Sequence, residues 1–160
     1  MLTTLSFSAI LAILPISELR GAIPYAIAKE VPLVIAYPFC VAINALIGPL
    51  VYLFLSSVHK GMVHFGWYNR MFDALVERAR KKVHAKVERF GYLGLAIFVA
   101  IPLPITGAYT GTLGAWMLGM DPKKTMLAVL AGVLIAGVVV SAVTFLGIEA
   151  LSIFVKNIAE

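Results

Sequence analysis

Charged side chains are scarce in this sequence, and their absence from long stretches is the first constraint on its class. Only 13% of the 160 residues are Asp, Glu, Lys or Arg, whereas 61% are hydrophobic. A soluble domain has about a quarter charged residues and about half apolar ones. Residues 31–59, 90–120 and 125–148 contain no charged residue, and each interval exceeds the roughly 20 residues that cross a bilayer core of about 30 Å. The sequence therefore predicts a multi-pass integral protein of the cell membrane.

Other features that are missing exclude several kinds of site. The single cysteine, Cys40, excludes an intrachain disulfide and a CxxC metal site. No Walker motif, HExxH motif or nucleophile elbow is present, so nothing points to ATP coupling or hydrolysis. We therefore expect no enzymatic activity, no cofactor and no metal site. The net charge of +5 does not predict nucleic-acid binding, because basic residues in a membrane protein first report topology.

Four apolar segments divide the chain, and they are of two kinds. Residues 5–28 and 92–120 are interrupted by prolines and glycines; because proline removes a helix donor and clashes with the preceding turn, these segments predict broken helices. Residues 32–58 and 125–148 are more continuous and predict membrane-spanning helices. Asp121-Pro122 before the last segment is typical of a helix N-cap with proline at the first helical position.

A short internal repeat relates the two broken segments. LPIS at residues 14–17 reappears as LPIT at residues 103–106, and Pro32 follows Pro15 at nearly the same distance as Pro122 follows Pro104. Each half then has a broken segment followed by a clean span. We predict a single membrane domain of two related halves, 1–58 and 92–160, joined by a linker at 59–91.

The distribution of basic residues predicts how the halves are oriented. If the broken segments enter the membrane and return to the same side, the linker and Lys123-Lys124 lie on the same side. Together they contain ten Lys and Arg residues, whereas the other side has only Lys29 and Lys156. The positive-inside rule favours this arrangement over one in which every segment crosses. The fold predicted is all-α: two inverted repeats, each a re-entrant broken-helix hairpin plus a transmembrane helix.

The linker itself has a basic face and an apolar face. Between residues 69 and 90 apolar side chains recur at three-to-four spacing, which is typical of one helical face, while the opposite face is rich in Lys and Arg. This pattern fits a cytoplasmic amphipathic helix on an anionic leaflet. It fits equally a solvated helix packed on its own protein.

Glu18 and Arg20 are the most informative polar residues, because ionisable groups inside an apolar segment are costly unless they are paired or wetted. Two positions apart, they cannot share one face of a regular helix. In a structural interpretation they bind exposed backbone groups and fix the hairpin. In a functional one, Arg20 binds an anionic group of a substrate and Glu18 carries a coupling proton.

The second broken segment offers hydroxyl groups and small residues. Thr106, Gly107, Tyr109 and Thr110 are candidate substrate-binding residues, since hydroxyls and broken-helix amides can face an anion. The glycines serve equally well for close helix packing. Asn44, in the second apolar segment, predicts an interhelical hydrogen bond, with a pore-lining role as the alternative.

Two motifs carry a resemblance to a known family. ISELRGAIP at residues 16–24 and PLPITGAYTGT at residues 102–112 resemble the family of putative small multidrug export proteins over nearly the whole chain. That family is more distantly similar to the DedA-like (VTT) membrane proteins, which carry paired re-entrant segments and are implicated in moving lipid-phosphate carriers or phospholipids. Glu18 and Arg20 occupy an equivalent acidic-basic position. The DedA-like proteins have an arginine in the second hairpin, where this chain has Thr106, Tyr109 and Thr110.

These observations lead to a functional hypothesis. We expect a small secondary transporter or flippase for an amphiphilic, anionic substrate, either lipid-phosphate-like or drug-like, with proton coupling. Its partners would be membrane lipids and a second copy of the chain, because two spans and two hairpins hardly enclose a pathway. The alternative is a membrane factor that does not transport, such as a lipid scramblase or an assembly scaffold.

Overall fold

The computed structural model describes residues 1–62, 77, 87, 90–103 and 106–159, and in this part of the chain the regular structure is helical throughout. The all-α prediction is therefore confirmed for these residues. The helices are α1 (Leu2–Ile13), α2 (Glu18–Ala28), α3 (Leu33–Ala45), α4 (Ile47–Met62), α5 (Phe90–Ala100), α6 (Ala108–Met117) and α7 (Pro122–Ala159).

Two of the described segments are long and apolar enough to cross a membrane. Leu33–Ser57, which comprises α3 and most of α4, has 25 residues, and Pro122–Gly147 of α7 has 26. At about 1.5 Å per residue each exceeds the roughly 30 Å of the hydrocarbon core. Both agree with the segments predicted at 32–58 and 125–148.

The first span is interrupted near its middle. Leu46 separates α3 from α4, and Pro49 lies in the first turn of α4. Proline has no N–H to donate to the carbonyl of Ala45 four residues earlier, so the helical hydrogen bonding cannot continue unbroken here. In contrast, α3 continues through Pro38.

The first broken segment forms a helical hairpin. The rings of Phe7 in α1 and Tyr25 in α2 lie 5.0 Å apart, at nearly equal distances in sequence from the break, so the two helices run antiparallel. Leu5 packs with Val31 and Ala36. The beginning of α1 therefore lies beside the end of α2 and the beginning of α3.

The break in the first segment lies at one place. The sequence predicted a broken helix over residues 5–28, and the helix is broken between Ile13 and Glu18, whereas α2 continues through Gly21 and Pro24. A Cβ on Gly21 would lie 2.1 Å from the Ser17 hydroxyl. Glycine at this position therefore permits the tight first turn of α2 rather than a second break.

The second broken segment forms the corresponding hairpin from α5 and α6. A Cβ on Gly111 would lie 2.6 Å from a methyl group of Val99, so this glycine allows α6 to pack closely on α5. At the other end of α5, the Tyr92 hydroxyl accepts the Asp121 N–H at 3.1 Å. The beginning of α5 therefore lies beside the beginning of α7.

Both hairpins end in the same backbone motif. Residues Glu30 (φ 61°) and Gly119 (φ 66°) adopt the left-handed conformation after α2 and α6. The next N–H in each case donates to a carbonyl five residues back, Val31 to Ala26 at 3.0 Å and Met120 to Ala115 at 3.1 Å. These are Schellman motifs. Pro32 is the N-cap of α3, and Pro122 is the first residue of α7. The Asp121 carboxylate caps α7 by accepting the Lys124 N–H at 3.0 Å, as predicted.

The two spans run antiparallel to each other. The Tyr37 hydroxyl donates to the Leu134 carbonyl at 3.0 Å, whereas Gly48, further along the first span, faces Val129 and Met126, earlier in α7. Near Tyr37, a Cβ on Gly137 would lie 2.7 Å from Val41. Small residues therefore allow the spans to approach closely along much of their length.

Two of the sequence predictions fall on the rest of the chain. The amphipathic helix predicted at 69–90 lies mostly outside the described residues, as do Pro104 and Ile105 of the LPIT motif. The domain boundaries at 58 and 91 stay predictions.

Candidate functional site

The site lies where the breaks of the two hairpins meet. Glu18 is the first residue of α2, has a φ of 46° and is only 6% exposed. Its carboxylate lies against Gly107 and faces the backbone N–H groups of Ala108 and Tyr109, at the beginning of α6. The first amides of a helix have no partner within the helix and carry a partial positive charge. A carboxylate from the first half thus lies at the beginning of a helix of the second.

Gly107 makes this contact possible. It precedes α6 with a φ of 130°, a region that side-chain-bearing residues rarely adopt. A Cβ at this position would lie 2.2 Å from one carboxylate oxygen of Glu18, inside van der Waals contact. Both its backbone conformation and its surroundings therefore require glycine.

Arg20 holds the loop that leads into α6. Its guanidinium donates to the Thr106 carbonyl and lies 3.4 Å from the Thr106 hydroxyl. That hydroxyl lies 2.7 Å from each of the carbonyl oxygens of Ile101 and Leu103 and accepts the Leu103 N–H at 3.2 Å. Thr106 therefore organises the break of the second hairpin, and Arg20 connects it to the first.

Tyr109 and Asn44 bind the end of α1 in return. The Tyr109 hydroxyl donates to the Ile13 carbonyl, and the buried Asn44 amide donates to the Ala12 carbonyl at 2.9 Å. The last carbonyls of a helix lack partners within the helix, so these two side chains satisfy groups that the break in the first hairpin exposes. The interhelical hydrogen bond predicted for Asn44 is confirmed.

The contacts follow the internal repeat. Aligning LPIS with LPIT pairs Glu18 with Gly107 and Arg20 with Tyr109. Glu18 and Gly107 have positive φ and touch each other. Arg20 and Tyr109 each donate to a backbone carbonyl in the break of the opposite hairpin.

A small cavity adjoins these residues. It is lined by polar groups of Glu18, Arg20 and Asn44 and by six apolar residues, Leu19, Val99, Pro102, Val133, Ala136 and Val140. About 10 Å³ is available to the centre of a water molecule, which is room for about one water. In this conformation the cavity has no room for a substrate larger than water.

The structure brings most of the predicted site residues together. Glu18, Arg20, Thr106, Gly107 and Tyr109 contact one another or the facing break. Among the described residues, the hydrogen bonds between the two breaks do not involve Thr110, which is half-buried in the first turn of α6.

Some features of the site were missed. The accepting groups on Ile13 and Ala12 are main-chain carbonyls, and no residue type in the sequence marks them. On the α7 side the cavity is lined by Val133, Ala136 and Val140. Their three-to-four spacing predicts that they share one face of the helix, but it does not predict that this face lines the cavity.

Comparison with known proteins adds one finding. A family model described as "putative small multi-drug export protein" matches residues 18–139, a range that begins at Glu18, directly after the first break, and includes the second break, the whole of the first span and the first 18 of the 26 residues of the second. The chain belongs to this family. Its membership and its two apolar span candidates make it a membrane protein with a transporter-like role. Searches of curated proteins and of solved structures found no match.

Proposed function

We propose that this chain is a small secondary transporter that moves an amphiphilic anion across the cell membrane together with protons. One observation carries the proposal: Glu18, a buried carboxylate, occupies the beginning of α6 beside Arg20. Ionisable groups at membrane depth are rare, and they mark substrate and proton pathways. The family membership supports transport, whereas the substrate and the coupling ion are our inference.

The proposed architecture is a pair of inverted repeats with re-entrant hairpins. Helices α1, α2 and α6 have 12, 11 and 10 residues, so each is about 15–18 Å long, and α5 is similarly short. None of them alone spans a core of about 30 Å. Hairpins that return to where they began and antiparallel spans support this arrangement, which many secondary transporters share.

The substrate's anionic group would bind where Glu18 now binds. The amides of Ala108 and Tyr109 are already arranged for a carboxylate, and helix N-termini bind phosphates and carboxylates through such amides. Arg20 adds a planar guanidinium with five donors, which suits bidentate recognition of either anion. Thr106, Gly107 and Tyr109 shape this position, and Thr110 follows in the same turn.

Proton coupling follows from competition for the same donors. An ionised Glu18 binds the α6 amides, but protonation removes the charge that makes this contact strong. The amides and Arg20 then become available to an incoming anion. Proton uptake by Glu18 and substrate binding would thus favour each other, without any further charged residue in the site.

Opening the cavity requires two contacts to break. The Arg20–Thr106 and Tyr109–Ile13 hydrogen bonds join the hairpins across the breaks. We infer that these bonds are released when one hairpin moves relative to the other. Because the described chain encloses so little space at the site, we also propose that a homodimer completes the pathway.

The test is flux of decyl phosphate, an anionic amphiphile, in reconstituted vesicles with and without an imposed pH gradient. We expect wild type to accumulate the probe against its gradient. Glu18→Gln, which imitates the protonated carboxyl, should retain binding but lose gradient-driven accumulation. Glu30→Gln is the matched control, because Glu30 is the other acidic residue of the first half and is exposed.

Two outcomes contradict the proposal. Accumulation by Glu18→Gln at the wild-type level would leave Glu18 as a residue that only fixes the hairpin. Wild-type flux that is insensitive to the gradient would favour the scramblase alternative.

A further inference from the structure

A second cavity lies on the outside of the described helices, away from the site above. It is a groove beside the break between α3 and α4 and along the first turns of α7, with about 460 Å³ available to the centre of a water molecule. Ligand pockets typically have about 300–1,000 Å³. Its lining is Ala45, Pro49, Met126, Leu127, Val129, Leu130 and Lys123.

The composition of this groove is that of a site for an amphiphile. Six of the lining residues are apolar, and Lys123 supplies the single charge. Leu127 is 68% exposed and Leu130 40% exposed, so the apolar wall opens outward from the span. We infer that the groove binds a phospholipid with an anionic headgroup, the acyl chain lying along the apolar wall and the headgroup meeting Lys123.

The neighbouring charges distinguish Lys123 from Lys124. The Lys124 ammonium lies over the Tyr92 ring, 5.8 Å from its centroid, and a cation in this position is attracted to the ring. Lys123 is exposed and lines the groove, so it is the basic group placed to meet a ligand there.

The position along the span favours a lipid over a soluble anion. Lys123 lies at the beginning of an apolar span, where a membrane interface begins, and the helix N-terminus adds partial positive charge. Basic pockets between spans on the cytoplasmic side bind anionic headgroups. A soluble anion would use the charge but leave the apolar wall unoccupied.

The experiment is native mass spectrometry of the purified protein, titrated in detergent with phosphatidylglycerol or with phosphatidylcholine. Wild type should retain phosphatidylglycerol preferentially. Lys123→Gln should weaken that preference about fivefold, the effect of one basic residue near a charged membrane surface. Lys124→Gln, which removes the same charge one residue away, should weaken it less than twofold. Equal losses in the two variants, or none in either, would overturn the assignment.

A second pair of variants tests the apolar wall. Leu127→Trp places a large ring in the groove and should reduce phosphatidylglycerol retention, whereas Val138→Trp, at an exposed position of α7 outside it, should not. Unchanged retention in Leu127→Trp would overturn the proposal. So would a change in its oligomeric state with retention intact, because the groove would then be covered by a second copy of the chain.

Discussion

Gly107 is the residue whose surroundings most restrict its identity. Its φ of 130° is unfavourable for any residue with a Cβ, and the Glu18 carboxylate occupies the space that a Cβ would need. At Gly119 the φ is also positive, 66°, but nothing lies within 4 Å of the position that a Cβ would take. A substitution at Gly119 therefore tests backbone strain alone, whereas one at Gly107 tests backbone strain together with steric conflict with Glu18.

We predict that Gly107→Ala destabilises the protein by more than about 2 kcal/mol, because strain of about 1–3 kcal/mol is added to the displacement of Glu18 from α6. Gly119→Ala should cost only about 1 kcal/mol. The measurement is thermal unfolding in detergent. Adding Glu18→Ala to Gly107→Ala should recover part of the loss, since it removes the conflicting carboxylate. Equal costs for both glycine substitutions would mean that the contact with Glu18 contributes nothing.

Arg20 is the second residue with a distinct expectation. Arg20→Lys keeps the charge but loses the planar guanidinium that can bind Thr106 and an anion together. We predict that this variant inserts normally and binds decyl phosphate at least about tenfold more weakly, measured by equilibrium binding in detergent. Lys29→Arg, at an exposed position, is the control. Wild-type affinity in Arg20→Lys would exclude a bidentate role, and failure to accumulate in the membrane would favour a structural one.

Individual residues of the site were predictable from the sequence where their chemistry is unusual. Glu18 and Arg20 stand out because charge is costly in an apolar segment, and their spacing indicated that each needs its own partner. The partners were not predictable, because they are backbone amides and carbonyls of a segment some 86 positions away. Which backbone groups the Glu18 and Arg20 side chains reach is decided by how the two hairpins pack.

At the level of helices, the sequence predicted which segments break but not where. Pro15 and Pro24 are equally strong signals, yet the helix breaks only near Pro15. Proline inside a helix can either kink it or end it. In the first hairpin Tyr109 and Asn44 supply donors to the last carbonyls of α1, and in α2 the helix instead continues through Pro24.

The span elements were predictable within a few residues, because hydropathy and length fix them. The break at Leu46 was only partly predictable from Pro49. What the break at Leu46 contacts depends on other helices. Asn44, just before the break, binds the end of α1, and the groove beside the break is formed together with α7. A single segment contains no information about what lies opposite it.

At the scale of the whole molecule, the two halves share more local structure than the four-residue sequence repeat alone. Each half has a hairpin, a Schellman motif and a proline at the beginning of the span. The repeat and the order of segments predicted a broken segment and a following span in each half, but not the Schellman motifs. The small size of the cavity was not predictable, because it depends on how closely the hairpins and the spans pack.

The orientation of the halves in the membrane is the prediction on which the proposed architecture depends. Under the re-entrant arrangement, the basic linker and Lys123-Lys124, which together contain ten basic residues, lie on one side of the membrane. Lys29 lies on the other. The hairpin α5–α6 begins beside the beginning of α7, as this arrangement requires. We therefore predict that cysteines at Lys82 and Lys123 are labelled from the cytoplasmic side and a cysteine at Lys29 from the opposite side.

The measurement is labelling of intact cells and of inverted vesicles with a membrane-impermeant maleimide, in a background in which Cys40 is replaced by Ala. That replacement is needed because Cys40 is the only native cysteine, although it is buried in α3. The unlabelled Cys40→Ala parent is the control for background. Labelling of the Lys82 and Lys123 positions from opposite sides would mean that α5 and α6 together cross the membrane, and the spans could then no longer be related by inversion.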